Sequence, residues 1–238
     1  MAPPVSAERS LELRRNLEAV LAGVNEAAVA CGRTSGEVTL VAVSKFHPAQ
    51  DVRALAGFGQ MDFGESYVQE ALAKREELQD LDLRWHFIGR LQTNKARHVA
   101  GSFSLVHSVD SLKLAQTLHK RAQALQTVQE VLLQVNLAGE GQKAGAAADE
   151  ARRLAQEVRG LDSLALRGLM LLPPLVDEPE QARPWFAALR ELRDSLEREL
   201  GVRLPHLSMG MTGDFRQAIA EGATIVRIGT RIFGERAY

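Results

Sequence analysis

The sequence predicts an α/β fold, a single (β/α)8 barrel of the TIM type over residues 1–238, with an extra helix at the N-terminus. Short apolar runs alternate with helical patterns along the chain, and this alternation indicates a parallel sheet. The runs are apolar on both faces, as parallel sheets covered by helices require. Eight such runs occur in 238 residues, which suits a barrel of roughly 250 residues.

The first predicted element is a helix over Ala7–Ala30. Leu13, Leu17 and Val24 recur there at helical spacing, with charged residues between them. Strands are then predicted at Val38–Ser44, Met61–Gly64, Arg84–Gly89, Ser104–Val109, Glu130–Asn136, Ala165–Leu171, His206–Gly210 and Thr224–Gly229. Helices are predicted between them at Ala49–Gly57, Tyr67–Leu78, Thr93–Val99, Ser111–Leu125, Ala146–Val158, Glu180–Leu200 and Phe215–Glu221.

An open, doubly wound sheet is the alternative fold for a chain with this alternation. That fold usually carries a glycine-rich phosphate fingerprint at the start of a helix. Here Gly57 and Gly59 precede a predicted strand and Gly64 ends it, so they do not open a helix. Their spacing also differs from that of the fingerprint. The barrel is therefore the preferred prediction.

Composition excludes several classes of function. The net charge of −1 leaves no broad basic field for nucleic acid or for an anionic membrane. The N-terminus has no apolar core of a secretory signal, and no apolar run is long enough to span a bilayer. Cys31 is the one cysteine, and the 6 histidines are scattered, so neither an internal disulfide nor a metal site is expected. We expect a cytoplasmic monomer.

Lys45 lies directly after the first predicted strand, shortly before Pro48. The sites of (β/α)8 barrels lie at the carboxyl ends of the strands, where this chain also carries Glu65, Asp110 and Asn136. A primary amine in that position can form a Schiff base with an aldehyde. On position alone, a solvent-exposed lysine at a strand end is an equally good interpretation.

Two turns containing glycine and threonine follow the last two predicted strands. They are Gly210–Gly213 after the seventh strand and Gly229-Thr230 after the eighth, which is where such barrels usually bind phosphate. Glycine lets the backbone approach an anion, and helix-start N–H groups and threonine hydroxyls donate to it. Either turn alone could be an ordinary turn. Together with Lys45 they suggest a phosphorylated aldehyde, for which pyridoxal 5′-phosphate is the obvious candidate.

Arg227 lies two residues before Gly229, so both face inward if Ile228 faces outward. A buried guanidinium needs an acceptor. The phosphate, the pyridine nitrogen and the carboxylate of Asp214 are all candidates. A pyridine nitrogen beside Arg227 would stay unprotonated, because a fixed cation disfavours a second one. Such a ring is a weak electron sink.

Six motifs of this chain resemble those of the pyridoxal phosphate homeostasis protein family. They are Ala42–Lys45, Phe63–Glu70, Trp85–Lys95, Arg167–Met170, Leu207–Thr212 and Val226–Gly234. The resemblance runs from Val38 to the C-terminus. It implies a barrel similar to the N-terminal domain of alanine racemase. It also implies a role in buffering or delivering the cofactor inside the cell, to pyridoxal phosphate-dependent apo-enzymes, with no established turnover.

The resemblance also implies a set of cofactor-binding residues. They are Lys45, Ser208, Thr212, Arg227, Gly229 and Thr230. Among these, Lys45 would carry the cofactor as a Schiff base and Arg227 would lie near the pyridine nitrogen, while Thr212, Gly229 and Thr230 match the phosphate-binding groups. This chain has Ser66 where the family often has Asn, and Thr212 replaces a common Ser but keeps the hydroxyl.

A cofactor-binding protein without turnover is the leading interpretation. The alternative is a pyridoxal phosphate-dependent racemase or decarboxylase. A racemase needs a second base, for which Tyr67 and Tyr238 are the only tyrosines, and we expect no further domain after the last strand. A third possibility is an aldolase that uses Lys45 without a cofactor. The paired turns and Arg227 count against it.

Overall fold

The computed structural model describes residues 5–139 and 144–235, and the strands in this part of the chain close into a parallel barrel in sequence order. The strands are β1 (Thr39–Val43), β2 (Asp62–Glu65), β3 (Arg84–Phe87), β4 (Leu105–Val109), β5 (Gln129–Val135), β6 (Leu164–Leu171), β7 (His206–Ser208) and β8 (Ile225–Ile228). β8 pairs with β1, and Val41 lies opposite Arg227. The sheet is therefore closed, and the predicted fold class is confirmed.

Helices alternate with the strands outside the barrel. They are α1 (Ala7–Ala30), α2 (Ala49–Gly57), α3 (Val68–Glu77), α4 (Leu112–Ala124), α5 (Ala148–Arg159), α6 (Arg183–Leu200), α7 (Phe215–Ala220) and α8 (Thr230–Phe233), with short 3₁₀ helices at Ser35–Glu37, Thr93–His98 and Pro179–Ala182. Within the described ranges, none of the helices combines the length and the apolar character that crossing a bilayer requires.

Three helices differ from the prediction. The one predicted over Thr93–Val99 is a 3₁₀ helix. The one predicted over Glu180–Leu200 becomes α-helical only at Arg183, where Pro184 occupies the first turn and its missing N–H costs no hydrogen bond. The short helix α8 was not predicted, because four residues are too few to show a helical period.

The interior of the barrel has an apolar and a polar part. The apolar part is a buried cluster of Val41, Leu105, Leu132, Met170 and Ile225. The polar part contains the buried side chains of Asp62, His86, His107, Ser208 and Arg227. Gly64 makes room for the apolar part, because a Cβ at this position would lie 2.8 Å from Val41 Cγ1. Inward-facing side chains fill such barrels in layers, and here several of these positions carry polar groups.

The N-terminal helix α1 packs against α2, α7 and α8. Arg9 joins these elements: its Nη2 donates to Asp51 Oδ2 of α2 at 2.6 Å and to the carbonyl of Phe233 in α8 at 2.8 Å. Asn16 adds a bond from Nδ2 to the carbonyl of Ile232 at 3.1 Å. The extra helix thus fixes the short helix that follows β8.

Candidate functional site

A cavity of about 190 Å³ opens at the carboxyl ends of the strands. Its wall is formed by Val43, Lys45, His47, Ser66, Ile88, Leu172, Met211, Thr212, Arg227, Gly229 and Thr230. Five of the six predicted cofactor-binding residues therefore meet in one cavity, although they lie in or shortly after the first strand and the last two strands of the chain. The sixth, Ser208, lies outside the wall.

Lys45 follows β1 and is partly exposed. The residues on either side of it are held by hydrogen bonds. The hydroxyl of Ser44 donates to Glu65 Oε1 at 2.7 Å, and the backbone N–H of Phe46 donates to Glu70 Oε1 at 2.5 Å. Phe46 has a φ of 67°, a conformation that costs a non-glycine residue on the order of 1–3 kcal/mol. The surrounding bonds keep the backbone in it.

The buried ammonium group of Lys74 contacts both of these carboxylates and the backbone before Lys45. Lys74 Nζ donates to the carbonyl of Ser44 at 2.6 Å, to Glu65 Oε1 at 2.7 Å and to Glu70 Oε1 at 2.8 Å. Burial raises the pKa of Glu65, against the opposing effects of Lys74 and Ser44. We call Lys74, Glu65 and Glu70 the lysine clamp, because all their bonds converge on the segment that carries Lys45.

The turn after β8 supplies a backbone cradle. Gly229 precedes α8, and its carbonyl accepts from the N–H groups of Ile232 and Phe233. The first N–H groups of a helix have no intrahelical partner, and in α8 they begin at Thr230 in the cavity wall. A Cβ on Gly229 would lie 3.1 Å from the carbonyl oxygen of Val43. Glycine therefore eases the close approach of this turn to β1.

The turn after β7 is shaped by Gly210 and Asp214. Gly210 has a φ of 91°, and a Cβ there would lie 2.6 Å from the Cβ of Ala218. Asp214 Oδ1 accepts from the N–H of Met211 at 2.6 Å, and burial raises the pKa of this carboxyl. These contacts place Thr212, which is partly exposed, in the cavity wall. Asp214 thus shapes the turn.

Arg227 forms the floor of the cavity and is buried. Its Nη1 donates to Ser208 Oγ at 2.6 Å and its Nη2 to the carbonyl of Leu171 at 2.9 Å. Burial lowers the pKa of Arg227 to about 10, and the charge of Asp214 opposes that shift. The guanidinium is therefore still cationic at neutral pH. Ser208 lies beneath Arg227 and accepts from it, a position suited to holding the guanidinium.

Sequence reasoning missed several members of the site. His47 lines the cavity, and its ring stacks on Phe233 with centroids 4.7 Å apart. Lys74 is buried in the lysine clamp, although its sequence context is that of an ordinary helix. His86 of β3 contacts Asp62 and His107 inside the barrel. Tyr238, considered as a second base, lies outside the described residues.

Comparison with known proteins identifies close relatives over nearly the whole chain. The family model for the alanine racemase N-terminal domain matches residues 16–237. The pyridoxal phosphate homeostasis protein of Pseudomonas aeruginosa is 49% identical over 226 residues, which are 95% of this chain and 96% of that protein. The protein of the same name from Aquifex aeolicus is 47% identical over 222 residues, 93% of this chain and 97% of that one.

Solved structures agree in fold. PipY of Synechococcus elongatus, solved with PLP bound, has a TM-score of 0.80 and 40% identity, covering 89% of this chain and 100% of that chain. An alanine racemase from Clostridium difficile has a TM-score of 0.73 and 15% identity, covering 95% of this chain and 57% of that chain. The second similarity concerns the fold alone.

Proposed function

We propose a function for this chain from its family: it belongs to the pyridoxal phosphate homeostasis proteins. On that premise the chain binds pyridoxal 5′-phosphate at the barrel mouth, with the aldehyde held on Lys45 as a Schiff base. It buffers the cofactor in the cytoplasm and delivers it, as a monomer, to apo-enzymes that need it. The observation that carries the proposal is that Lys45 and Arg227 meet the turns after β7 and β8 in one cavity.

The groups in the cavity wall suit this cofactor chemically. The amine of Lys45 can condense with an aldehyde and release water. The hydroxyls of Thr212 and Thr230 and the backbone at Gly229 offer hydrogen-bond donors to a phosphate. Arg227 offers a charged donor to a ring nitrogen, and Ile88 supplies an apolar surface for a ring. The relative PipY was solved with PLP bound, which supports the choice of cofactor.

Binding without turnover is supported by two features. Arg227 is cationic at neutral pH, because its pKa of about 10 lies well above that range, and a cation beside the pyridine nitrogen disfavours protonation of the ring. An unprotonated ring stabilises a carbanion poorly. The second feature is the open mouth, where Thr230 is exposed and Phe46 is 47% exposed. Catalysis generally uses a drier environment.

The test compares cofactor transfer with amino-acid turnover. Protein loaded with pyridoxal 5′-phosphate is mixed with an apo-enzyme, and the regained activity measures transfer. In parallel the loaded protein is incubated with L- and D-amino acids. The chirality of the amino acid and the formation of ketoacid and amine are then measured over time. We expect transfer without turnover. The Lys45→Ala variant is the control for both arms.

Steady turnover that Lys45→Ala abolishes would instead favour the racemase or decarboxylase. His47 is the titratable ring in the cavity wall, so His47→Gln shows whether that turnover uses it as the second base. An aldolase that uses Lys45 alone would cleave its substrate in protein stripped of cofactor. Either result would overturn the carrier function.

A further inference from the structure

Five buried side chains form a continuous hydrogen-bonded path through the barrel. Arg227 Nη1 lies 2.6 Å from Ser208 Oγ, which lies 2.8 Å from His107 Nδ1. His107 Nε2 lies 3.0 Å from His86 Nδ1, and His86 Nε2 lies 3.0 Å from Asp62 Oδ1. The path runs from the cavity floor at β8 across to β4, and through β3 to the first residue of β2.

The two ends of the path fix the direction of its hydrogen bonds. Burial opposes ionisation of Asp62, but hydrogen bonds from His86 and Arg84 hold its pKa at about 2. The carboxylate therefore only accepts, and His86 Nε2 carries a proton. At the other end Arg227 only donates, so Ser208 Oγ accepts from it.

With both histidine rings neutral, the middle of the path has one consistent arrangement of hydrogen bonds. Burial, aided by the nearby charge of Arg227, lowers the pKa of His107 well below its usual range, so this ring has a single N–H. If His86 uses its one N–H for Asp62, its Nδ1 is an acceptor and His107 must donate from Nε2. His107 Nδ1 then accepts the hydroxyl proton of Ser208. Every donor points from Arg227 towards Asp62.

Resting on the proposed binding of pyridoxal 5′-phosphate, we propose that Ser208, His107, His86 and Asp62 act as a positioning relay that fixes the guanidinium of Arg227 against the ring nitrogen of the cofactor. The hydroxyl of Ser208 is the decisive link, because it accepts from Arg227 while its own proton is committed to His107. The carbonyl of Leu171 holds the second nitrogen of the guanidinium at 2.9 Å. With both Nη1 and Nη2 of Arg227 anchored, the guanidinium keeps one orientation in the floor of the cavity.

Ser208 also acquires a function that differs from the one its motif implies. It is fully buried and absent from the cavity wall, so it serves the cofactor through Arg227. Ser108 offers a matched control. It is a buried strand serine as well, 1% exposed, and its hydroxyl has no hydrogen-bond partner among the described residues.

The first arm of the test examines the protein without cofactor. Nitrogen-15 NMR of the histidine rings reports which ring nitrogens carry protons at neutral pH. The relay predicts neutral rings with the proton on Nε2 in both His86 and His107. In Ser208→Ala the His107 signals change, whereas in Ser108→Ala they do not. A proton on His107 Nδ1, or a doubly protonated His86, would reverse the path and overturn the relay.

The second arm measures affinity for pyridoxal 5′-phosphate and for its analogue with a C–H group in place of the ring nitrogen. Ser208→Ala should weaken binding of the natural cofactor about tenfold, the loss expected for a charge-assisted hydrogen bond. It should leave binding of the analogue unchanged, and Ser108→Ala should alter neither. Equal losses for both ligands would mean that Ser208 supports only the fold. If the wild type bound neither ligand, the proposed function would fail, while the ring signals would still decide whether the relay exists.

Discussion

Replacing Lys74 with Met tests how the barrel holds the Lys45 segment. The side chain of Lys74 is 7% exposed and that of its partner Glu65 is 0% exposed. Removing one partner of a buried ion pair leaves an uncompensated charge and costs on the order of 3–5 kcal/mol. Since a domain's free energy of unfolding is about 5–15 kcal/mol, Lys74→Met should remove a large share of it. It should also weaken cofactor binding, because the lysine clamp loses its centre.

The free energy of unfolding lost in Lys74→Met should be smaller at low pH than at high pH. Burial already raises the pKa of Glu65 above its ordinary 4.5, and removal of Lys74 raises it further. The folded state of the variant then keeps a proton on Glu65 that the unfolded state releases near that ordinary value. Its stability is therefore fully present below the unfolded pKa and falls as pH rises through the folded pKa. Lys74→Met should cost less free energy of unfolding at pH near 4.5 than at pH near 8.

Urea unfolding of wild type and variant at both pH values measures the effect. Arg53→Met is the control, since it breaks an ion pair with Asp80 whose side chains are 34% and 56% exposed and should cost much less. The double variant Lys74→Met with Glu65→Gln should regain part of the loss, because the orphaned charge is gone. A loss no larger than that of Arg53→Met, and equal at both pH values, would refute the lysine clamp.

Three further variants test the site and its supports. Thr230→Ala should weaken binding of pyridoxal 5′-phosphate about tenfold or more, because it removes a hydroxyl donor. Gly229→Val should weaken it further, because even a Cβ at Gly229 would lie 3.1 Å from a carbonyl oxygen of β1. Equal affinity of the wild type for pyridoxal without phosphate would contradict the phosphate site. Asp62→Asn should flatten the acid unfolding curve between pH 3.8 and about 2, where the ionised Asp62 loses its stabilising effect as pH falls; an unchanged curve would contradict its ionisation. Arg9→Met should destabilise the protein and lower cofactor affinity, because it frees the carbonyl of Phe233 in α8; calorimetry measures both, and intact affinity would show that α1 does not support the site.

The parts of the fold that the sequence predicts well depend on local patterns. The helix over Ala7–Ala30 was predicted with its observed ends, because its apolar positions repeat and Gly32 follows closely. Lys45 and Thr230 were expected at the carboxyl end of the barrel, because they follow predicted strands, and both line the cavity there. By contrast, Thr93–His98 shows helical residues but forms a 3₁₀ helix, which periodicity does not distinguish over six residues.

The parts that were missed depend on contacts between distant residues. Lys74 lies on a helix with charged neighbours, so the sequence gives no sign that it reaches the carbonyl of Ser44, 30 positions away. Ser208 and His107 are 101 positions apart and meet only because the barrel closes. Their one sequence signal is a polar side chain within a predicted strand, and that signal does not name a partner.

Locating the covalent attachment of the cofactor tests the central claim most directly. The protein is mixed with pyridoxal 5′-phosphate, reduced with borohydride and digested, and the modified peptide is identified by mass spectrometry. We predict a long-wavelength absorption band that borohydride removes, and a pyridoxyl adduct on Lys45. In Lys45→Ala the band should vanish while circular dichroism shows an intact fold. An adduct mapping instead to Lys95, or to Lys143 outside the described residues, would contradict the account.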